Sequence, residues 1–122
     1  MIQMKRIYEP ATPEDGYRVL VERLWPRGVS KVAAQLDAWE RNIAPSPELR
    51  RWYGHDPTKW EEFQVRYERE LQTPAAQAML DQLTKLAHEG AVTLLYASRA
   101  GEISNAAVLR RLLGHRVSAP TE

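Results

Sequence analysis

The chain has 122 residues, 43% of them hydrophobic and 27% charged, and its 17 basic and 16 acidic residues leave a net charge of +1. A chain of this length and composition can form one globular domain with its own core. The near-neutral charge argues against a protein whose main work is non-specific binding of nucleic acids. Because cysteine is absent, disulfides, thiol nucleophiles and cysteine-ligated zinc are excluded.

The N-terminal residues carry charges where a signal peptide would need an apolar block. The longest apolar run, Ala91 to Ala97, is far shorter than the roughly 20 residues that cross a bilayer. We therefore expect a soluble, cytoplasmic protein with no membrane partner.

Three segments are predicted as strands. The first is Met4 to Tyr8, and a loop with two prolines follows it at residues 9–16. The second is Tyr17 to Leu24, with β-branched and apolar residues at its centre. The third is Ala91 to Ala97, whose continuous apolar run after Gly90 is typical of a strand buried on both faces of a parallel sheet.

Helices are predicted between the second and third strands. Ser30 can cap a helix with an apolar stripe at helical spacing: Val32, Leu36, Trp39 and Ile43. Three further helices are predicted to begin at a residue with a side-chain oxygen followed by proline. The oxygen can accept a hydrogen bond from a free backbone amide of the first turn, and proline lacks an amide that would need a partner there. These starts are Ser46-Pro47, Asp56-Pro57 and Thr73-Pro74.

The last two of these helices carry clear apolar faces. The Asp56 helix buries Trp60, Phe63, Tyr67 and Leu71, whereas the Thr73 helix buries Ala76, Met79 or Leu80, Leu83, and Leu86 or Ala87 before Gly90 ends it. Trp52, like Trp39 and Trp60, is interpreted as a core residue. A final helix is expected from Ser104 to Leu113, with Gly114 as its left-handed cap and residues 117–122 as a frayed tail.

The order of strand, strand, several helices, strand and helix favours an α/β protein. We expect one compact domain over residues 1–122, with a small, mainly parallel sheet flanked by helices.

The segment from Glu22 to Gly28 is the first candidate binding site. It follows the second strand and places Arg23, Trp25 and Arg27 around a Pro26-Gly28 corner. Arginine presents a planar fork of donors that matches carboxylate and phosphate oxygens. The structural alternative is that Arg23 pairs with an acid at the surface, Trp25 packs, and Pro26 and Gly28 only shape the turn.

The end of the third strand supplies a second wall if the two strands are parallel, because ligands bind at the carboxyl edge of such sheets. That wall would contain Tyr96, Arg99 and Asn105. Together with the arginines of the first segment it predicts an anion site. The remaining basic cluster, Arg110, Arg111 and Arg116, is explained first by ordinary electrostatics at a helix end.

His55 lies between two predicted helices and is a candidate proton carrier because its pKa is ordinarily near neutrality. Glu22 is the other candidate catalytic residue. We interpret Asp56, next to His55, as a helix cap rather than its catalytic partner. His88 and His115 lie at helix ends, and no pattern with metal-ligand spacing occurs, so no metal site is predicted and no cofactor is identified.

The chain resembles the YeaO-like family of uncharacterised proteins, also called domain of unknown function 488. The matching blocks run in order along nearly the whole chain: residues 18–28, Ala44-Pro45-Ser46, residues 49–52, Gly54-His55-Asp56-Pro57 with Trp60, Phe63, Tyr67, Glu70-Leu71, residues 92–97 and Asn105-Ala106. The resemblance implies a compact α/β fold but no settled activity.

Two departures from the family pattern bear on function. The pattern usually has Asp where this chain has Glu22, and it tends to place an acid where this chain has Ala100. If that acid carried a proton in catalysis, this chain would lack it.

Three functions are compatible with these residues. The first is binding of a small anionic ligand, carrying phosphate or carboxylate and including nucleotide-like ones, with or without catalysis. The second is a nucleic-acid-associated accessory domain, which near-neutral charge makes the weaker alternative. The third is an interaction module without catalysis. The sequence leaves open the oligomeric state and whether the protein is an enzyme.

Overall fold

A parallel four-stranded sheet organises the chain. In the computed structural model, which describes residues 1–119, the strands lie in the order β1-β4-β2-β3 and every neighbouring pair is parallel. Their bounds are β1 Ile2–Arg6, β2 Tyr17–Leu20, β3 Ala38–Trp39 and β4 Val92–Tyr96. The predicted α/β class is confirmed, and so is the parallel pairing of β2 and β4, the two strands that precede the candidate site segments.

Five α-helices lie within residues 1–119: α1 Lys31–Ala34, α2 Pro47–Tyr53, α3 Trp60–Glu70, α4 Pro74–Glu89 and α5 Asn105–Ser118. The three starts at a polar residue and proline are confirmed. Ser46 accepts a hydrogen bond from the Leu49 amide, and Thr73 accepts one from the Ala76 amide. Asp56 accepts from the Thr58 amide and begins a single 3-10 turn, Pro57–Lys59, which runs directly into α3.

The predicted helix from Ser30 to Ile43 is wrong beyond its first turn. Ser30 does cap α1, but Gln35 then adopts a left-handed conformation with φ 46° and ends the helix. The stripe fails because Val32 is 86% exposed and has no core to pack against. Trp39 lies instead in β3, which pairs with β2 and adds a strand that the helical spacing concealed.

The predicted end of the last helix is also wrong. α5 continues through Gly114 to Ser118, because its last turns are attached to the rest of the protein. Arg116 pairs with Asp81 of α4, and Val117 packs against the main core. The part of the predicted frayed tail at residues 120–122 lies outside the described residues.

The sheet separates a large core from a small one. The large core lies under α2 to α5 and contains the apolar faces predicted for α3 and α4: Phe63, Tyr67, Leu71, Ala76, Leu80, Leu83 and Ala87. On the small side Leu20 and Leu95 pack with Ile7 and Ala34. This arrangement leaves the carboxyl ends of β2 and β4 next to the segment that joins α2 to α3. In the part of the chain described, no helix combines the length and apolar character that crossing a bilayer requires.

Candidate functional site

A cavity of about 550 Å³ lies at the carboxyl edge of the sheet, where the chain leaves β2 and β4. It is bounded by the residues after those two strands, by α2 with its flanking segments, and by the first residue of α5. Its lining residues are Glu22, Leu24, Pro45, Pro47, Arg50, Arg51, Tyr53, His55, Phe63, Ala97, Ser98 and Asn105. The cavity therefore lies where open α/β sheets place their ligands.

Glu22 supplies a buried carboxyl group to this cavity. Its side chain follows the end of β2, and Oε2 accepts a hydrogen bond of 3.0 Å from the Ala97 amide at the end of β4. The residue is only 8% exposed. This loss of hydration raises the pKa of Glu22, although the Ala97 hydrogen bond and the positive charges of Arg50 and His55 oppose the shift.

Asn105 lines the same cavity as Glu22 and is held there by a hydrogen bond to the backbone of Val21, the first residue after β2. It is the first residue of α5, which Ser104 caps by accepting from the Ala107 amide. The Asn105 Nδ2 group donates a 2.7 Å hydrogen bond to the Val21 carbonyl oxygen, and the residue is buried. The amide thus ties α5 to the end of β2 and lines the inner part of the cavity.

Arg50 and Arg51 bring two guanidinium groups to the outer part of the cavity. Both are exposed and lie on α2, whose start is fixed by Ser46 and by the Glu70 carboxylate that accepts from the Ser46 amide at 2.9 Å. Within residues 1–119, neither guanidinium forms an ion pair. Their charges are therefore available to an anion.

His55 lines the cavity from a strained turn between α2 and α3. Gly54 has φ 54° and His55 has φ 55°, a left-handed conformation that side chains rarely adopt. The exposed imidazole lies 5.8 Å, centroid to centroid, from the Tyr53 ring. Asp56 is not its partner, because hydrogen bonds from Thr58 hold that carboxylate at the helix start and lower the pKa of Asp56.

The arginine-rich corner predicted from the sequence lies beside the cavity. Arg23 donates to the carbonyl oxygens of Pro45 and Ala44, at 3.0 and 3.2 Å, rather than to an acid. The Trp25 indole donates to the Val29 carbonyl and packs edge-on against Trp39, with 5.3 Å between ring centroids. The side chains of Arg23 and Trp25 thus form contacts within the protein that hold the corner in its conformation.

The other predicted ligand residues are also outside the cavity lining. Arg27 is exposed, and its carbonyl oxygen accepts from the Tyr8 hydroxyl, whereas Gly28, with φ 78°, forms the turn. Tyr96 is buried in the large core and Arg99 is exposed on the next loop. The structure thus brings Glu22, His55 and Asn105 together and leaves the predicted arginines apart from them.

Arg50 and Arg51 are the charged lining residues that sequence reasoning missed. Arg50 and Arg51 stand in one of the blocks shared with the YeaO-like family and close to the Gly54-His55 hinge, so their proximity to His55 was the available signal. The basic cluster on α5 is partly engaged, since Arg111 pairs with Glu68 and Arg116 with Asp81. Among the described residues, no three His, Asp or Glu side chains are grouped as metal ligands.

Fold and cavity together define a small α/β protein with one parallel sheet and a ligand-sized cleft at its carboxyl edge. The chain belongs to the YeaO-like DUF488 family: the family model described as the inactive DUF488-N3 subclade matches residues 1–121. It is 44% identical over 115 residues to the uncharacterized protein Rv3073c of Mycobacterium tuberculosis, covering 94% of this chain and 95% of that one. It is 39% identical over 108 residues to the uncharacterized protein YeaO of Escherichia coli, covering 88% and 92%. No solved structure matches the chain at a significant level.

Proposed function

We propose that this protein binds a small anionic ligand, bearing a phosphate or carboxylate group, in the cavity between the sheet edge and α2. The observation that carries the proposal is the pair of guanidinium groups, Arg50 and Arg51, which line the cavity without an ion-pair partner among residues 1–119. Guanidinium groups that are not neutralised by neighbouring acids attract anions and can bind their oxygens in a two-pronged manner.

The neighbouring groups support the same ligand class. His55 adds a third group that can carry positive charge at the outer part of the cavity. The volume of about 550 Å³ is in the range of small-molecule sites, which is roughly 300–1,000 Å³. Leu24, Pro45 and Pro47 give the ligand body an apolar wall.

Binding without turnover is the form of the proposal that these observations favour. This chain has Ala100 where the pattern that it resembles tends to have an acid, and the matching family model is described as inactive. If a reaction does occur, Glu22 and His55 are the residues placed to carry a proton. Both line the cavity, and the charge of His55 reaches Glu22.

Titration calorimetry with inorganic phosphate and with adenosine monophosphate tests the proposal. We expect saturable heat that is lost, or weakened about tenfold or more, in the Arg50→Ala/Arg51→Ala double variant, because each charge-assisted contact contributes about 1.5–3 kcal/mol. Arg69→Ala is the matched control, since Arg69 is an exposed arginine on α3 that does not line the cavity. Equal binding by the double variant and the control would contradict the proposal.

A further inference from the structure

The cavity has basic side chains at its outer part and an acidic side chain at its inner part. Arg50, Arg51 and His55 are exposed at its outer part, whereas the Glu22 carboxyl is buried at its inner part. An anion alone would meet attraction at the outer part and repulsion near Glu22. The inner carboxyl therefore needs an explanation that an anion site by itself does not supply.

Among residues 1–119, the Glu22 carboxyl accepts one hydrogen bond, which holds it in place and leaves other acceptor positions open. A carboxylate has about four lone-pair positions, and the Ala97 amide takes one of them, on Oε2. The side-chain amide in the cavity lining, that of Asn105, directs its Nδ2 group to the Val21 carbonyl instead. The remaining positions of Glu22 can accept hydrogen bonds from a molecule in the cavity.

We propose that Glu22 determines the specificity of this site by accepting two adjacent N–H donors from the end of the ligand opposite its anionic group. This inference rests on the anion-binding function proposed above. Two neighbouring oxygens fixed in one plane match two neighbouring N–H groups fixed in one plane, as in a carboxylate paired with a guanidinium group. The ligand is accordingly an anion that also carries a flat group with paired N–H donors.

Two kinds of molecule share this chemistry. A guanine nucleotide presents a ring N–H beside an amino group, and a guanidino acid presents a guanidinium group at the end of an aliphatic chain. The Leu24, Pro45 and Pro47 wall accommodates the ring or the chain, and Arg50 and Arg51 then meet the phosphate or the carboxylate. Glu22 forms the selective contact in both cases.

Titration calorimetry with matched ligands distinguishes the two. Guanosine monophosphate is compared with inosine monophosphate, which lacks only the amino group, and 4-guanidinobutyrate is compared with butyrate, which lacks the guanidinium. We expect one member of one pair to bind about tenfold or more tightly than its match, the discrimination that a two-pronged contact provides. The pair that shows the difference identifies whether the ligand is a guanine nucleotide or a guanidino acid.

The Glu22→Gln variant tests the residue. Its amide oxygen can still accept from the Ala97 amide, so the fold is expected to persist, which thermal unfolding checks. We expect the preference within the selective pair to disappear, while affinity for inorganic phosphate is kept or raised because a negative charge leaves the cavity. Glu102→Gln, an exposed acid outside the cavity lining, is the control and should keep the preference.

The outcomes separate the two proposals. If phosphate binding depends on Arg50 and Arg51 but neither matched pair shows a preference, or the preference survives in Glu22→Gln, the role of Glu22 is overturned and anion binding stands. If no anion binds, both proposals are overturned.

Discussion

Glu22 shows how one residue can link two strands and still face a cavity. Its Oε2 atom accepts from the Ala97 amide, so the carboxyl spans the gap between the ends of β2 and β4. An Asp at this position would have a side chain one methylene shorter and would place the carboxyl differently. The longer side chain keeps the charge and moves it further from the backbone.

The raised pKa of Glu22 predicts how stability depends on pH. An unfolded Glu titrates at about 4.3, so at a pH between this value and the raised native pKa the unfolded chain has released its proton while the native carboxyl still holds one. The native state then binds more protons, and the contribution of Glu22 to the free energy of unfolding falls as pH rises from the unfolded pKa through the higher native one.

Denaturant unfolding of the wild type and Glu22→Gln across this pH range measures that contribution. We expect the free energy of unfolding of the wild type, relative to the variant, to decrease as pH rises. A relative free energy that increases with pH would show that the native carboxyl is stabilised in its charged form.

His55 adopts a strained backbone conformation at the cavity. Replacing it by glycine is therefore expected to stabilise the fold and to weaken anion binding. Glycine adopts φ 55° without steric cost, so His55→Gly should raise the free energy of unfolding by roughly 0.5 kcal/mol after the entropy of the unfolded glycine is counted. Anion affinity should fall, because the imidazole is removed. Thermal unfolding and calorimetry measure the two effects.

Gln35→Gly is the matched control for this substitution. Gln35 has φ 46° and lies outside the cavity lining, so it should show the gain in stability and no change in anion affinity. A loss of stability in His55→Gly, with a gain in Gln35→Gly, would mean that contacts of the imidazole outweigh the strain.

At the scale of the elements, the helix starts and the end of α4 at Gly90 could be predicted, whereas the ends of α1 and α5 could not. Ser46, Asp56 and Thr73 each accept a hydrogen bond from an amide two or three residues on, a local interaction that sequence spacing reveals. The end of α1 depends on the pairing of β3 with β2, and the end of α5 depends on the contacts of Arg116 with α4. Both are interactions between residues distant in sequence.

In the candidate site, too, some features follow from the local sequence and others depend on contacts between residues distant in sequence. The edge of the sheet that holds it was predicted from the apolar strands and their parallel pairing, and Glu22, His55 and Asn105 do line one cavity. The orientation of Arg23 was not predictable, because its partners are carbonyl oxygens of Ala44 and Pro45, some 20 residues away in sequence. Residue type indicated an anion site, while side-chain direction decided which arginines line it.

Gly114 provides a direct test of the corrected end of α5. It lies within the helix, and, apart from its chain neighbours and the surrounding helical backbone, no atom of the described residues lies within 4 Å of the position that a Cβ would take. Gly114→Ala should therefore raise the free energy of unfolding by about 0.5–1 kcal/mol, the difference between the two residues in a helix interior. A helix that ended at Gly114 in a left-handed cap would instead lose stability, and chemical denaturation distinguishes the two.

At the scale of the whole molecule, positive charge is divided between paired and unpaired groups. Arg18 is buried against Asp15, and Arg111 and Arg116 pair with acids on neighbouring helices. The pairing of Arg111 and Arg116 neutralises part of the basic cluster on α5 that a nucleic-acid-associated domain would use. Exposed arginines such as Arg27, Arg69 and Arg99 also form no ion pair among residues 1–119, so what distinguishes Arg50 and Arg51 is that they line the cavity.

The most direct test of anion binding is a phosphate titration followed by NMR signals of the arginine Nε–H groups. We expect the Arg50 and Arg51 signals to shift progressively and saturate together, and those of Arg23 and Arg69 to remain in place. Saturating shifts at Arg27 and Arg99 without a change at Arg50 and Arg51 would move the site to the corner indicated by the sequence. The absence of any saturating shift would contradict the account of this cavity as an anion site.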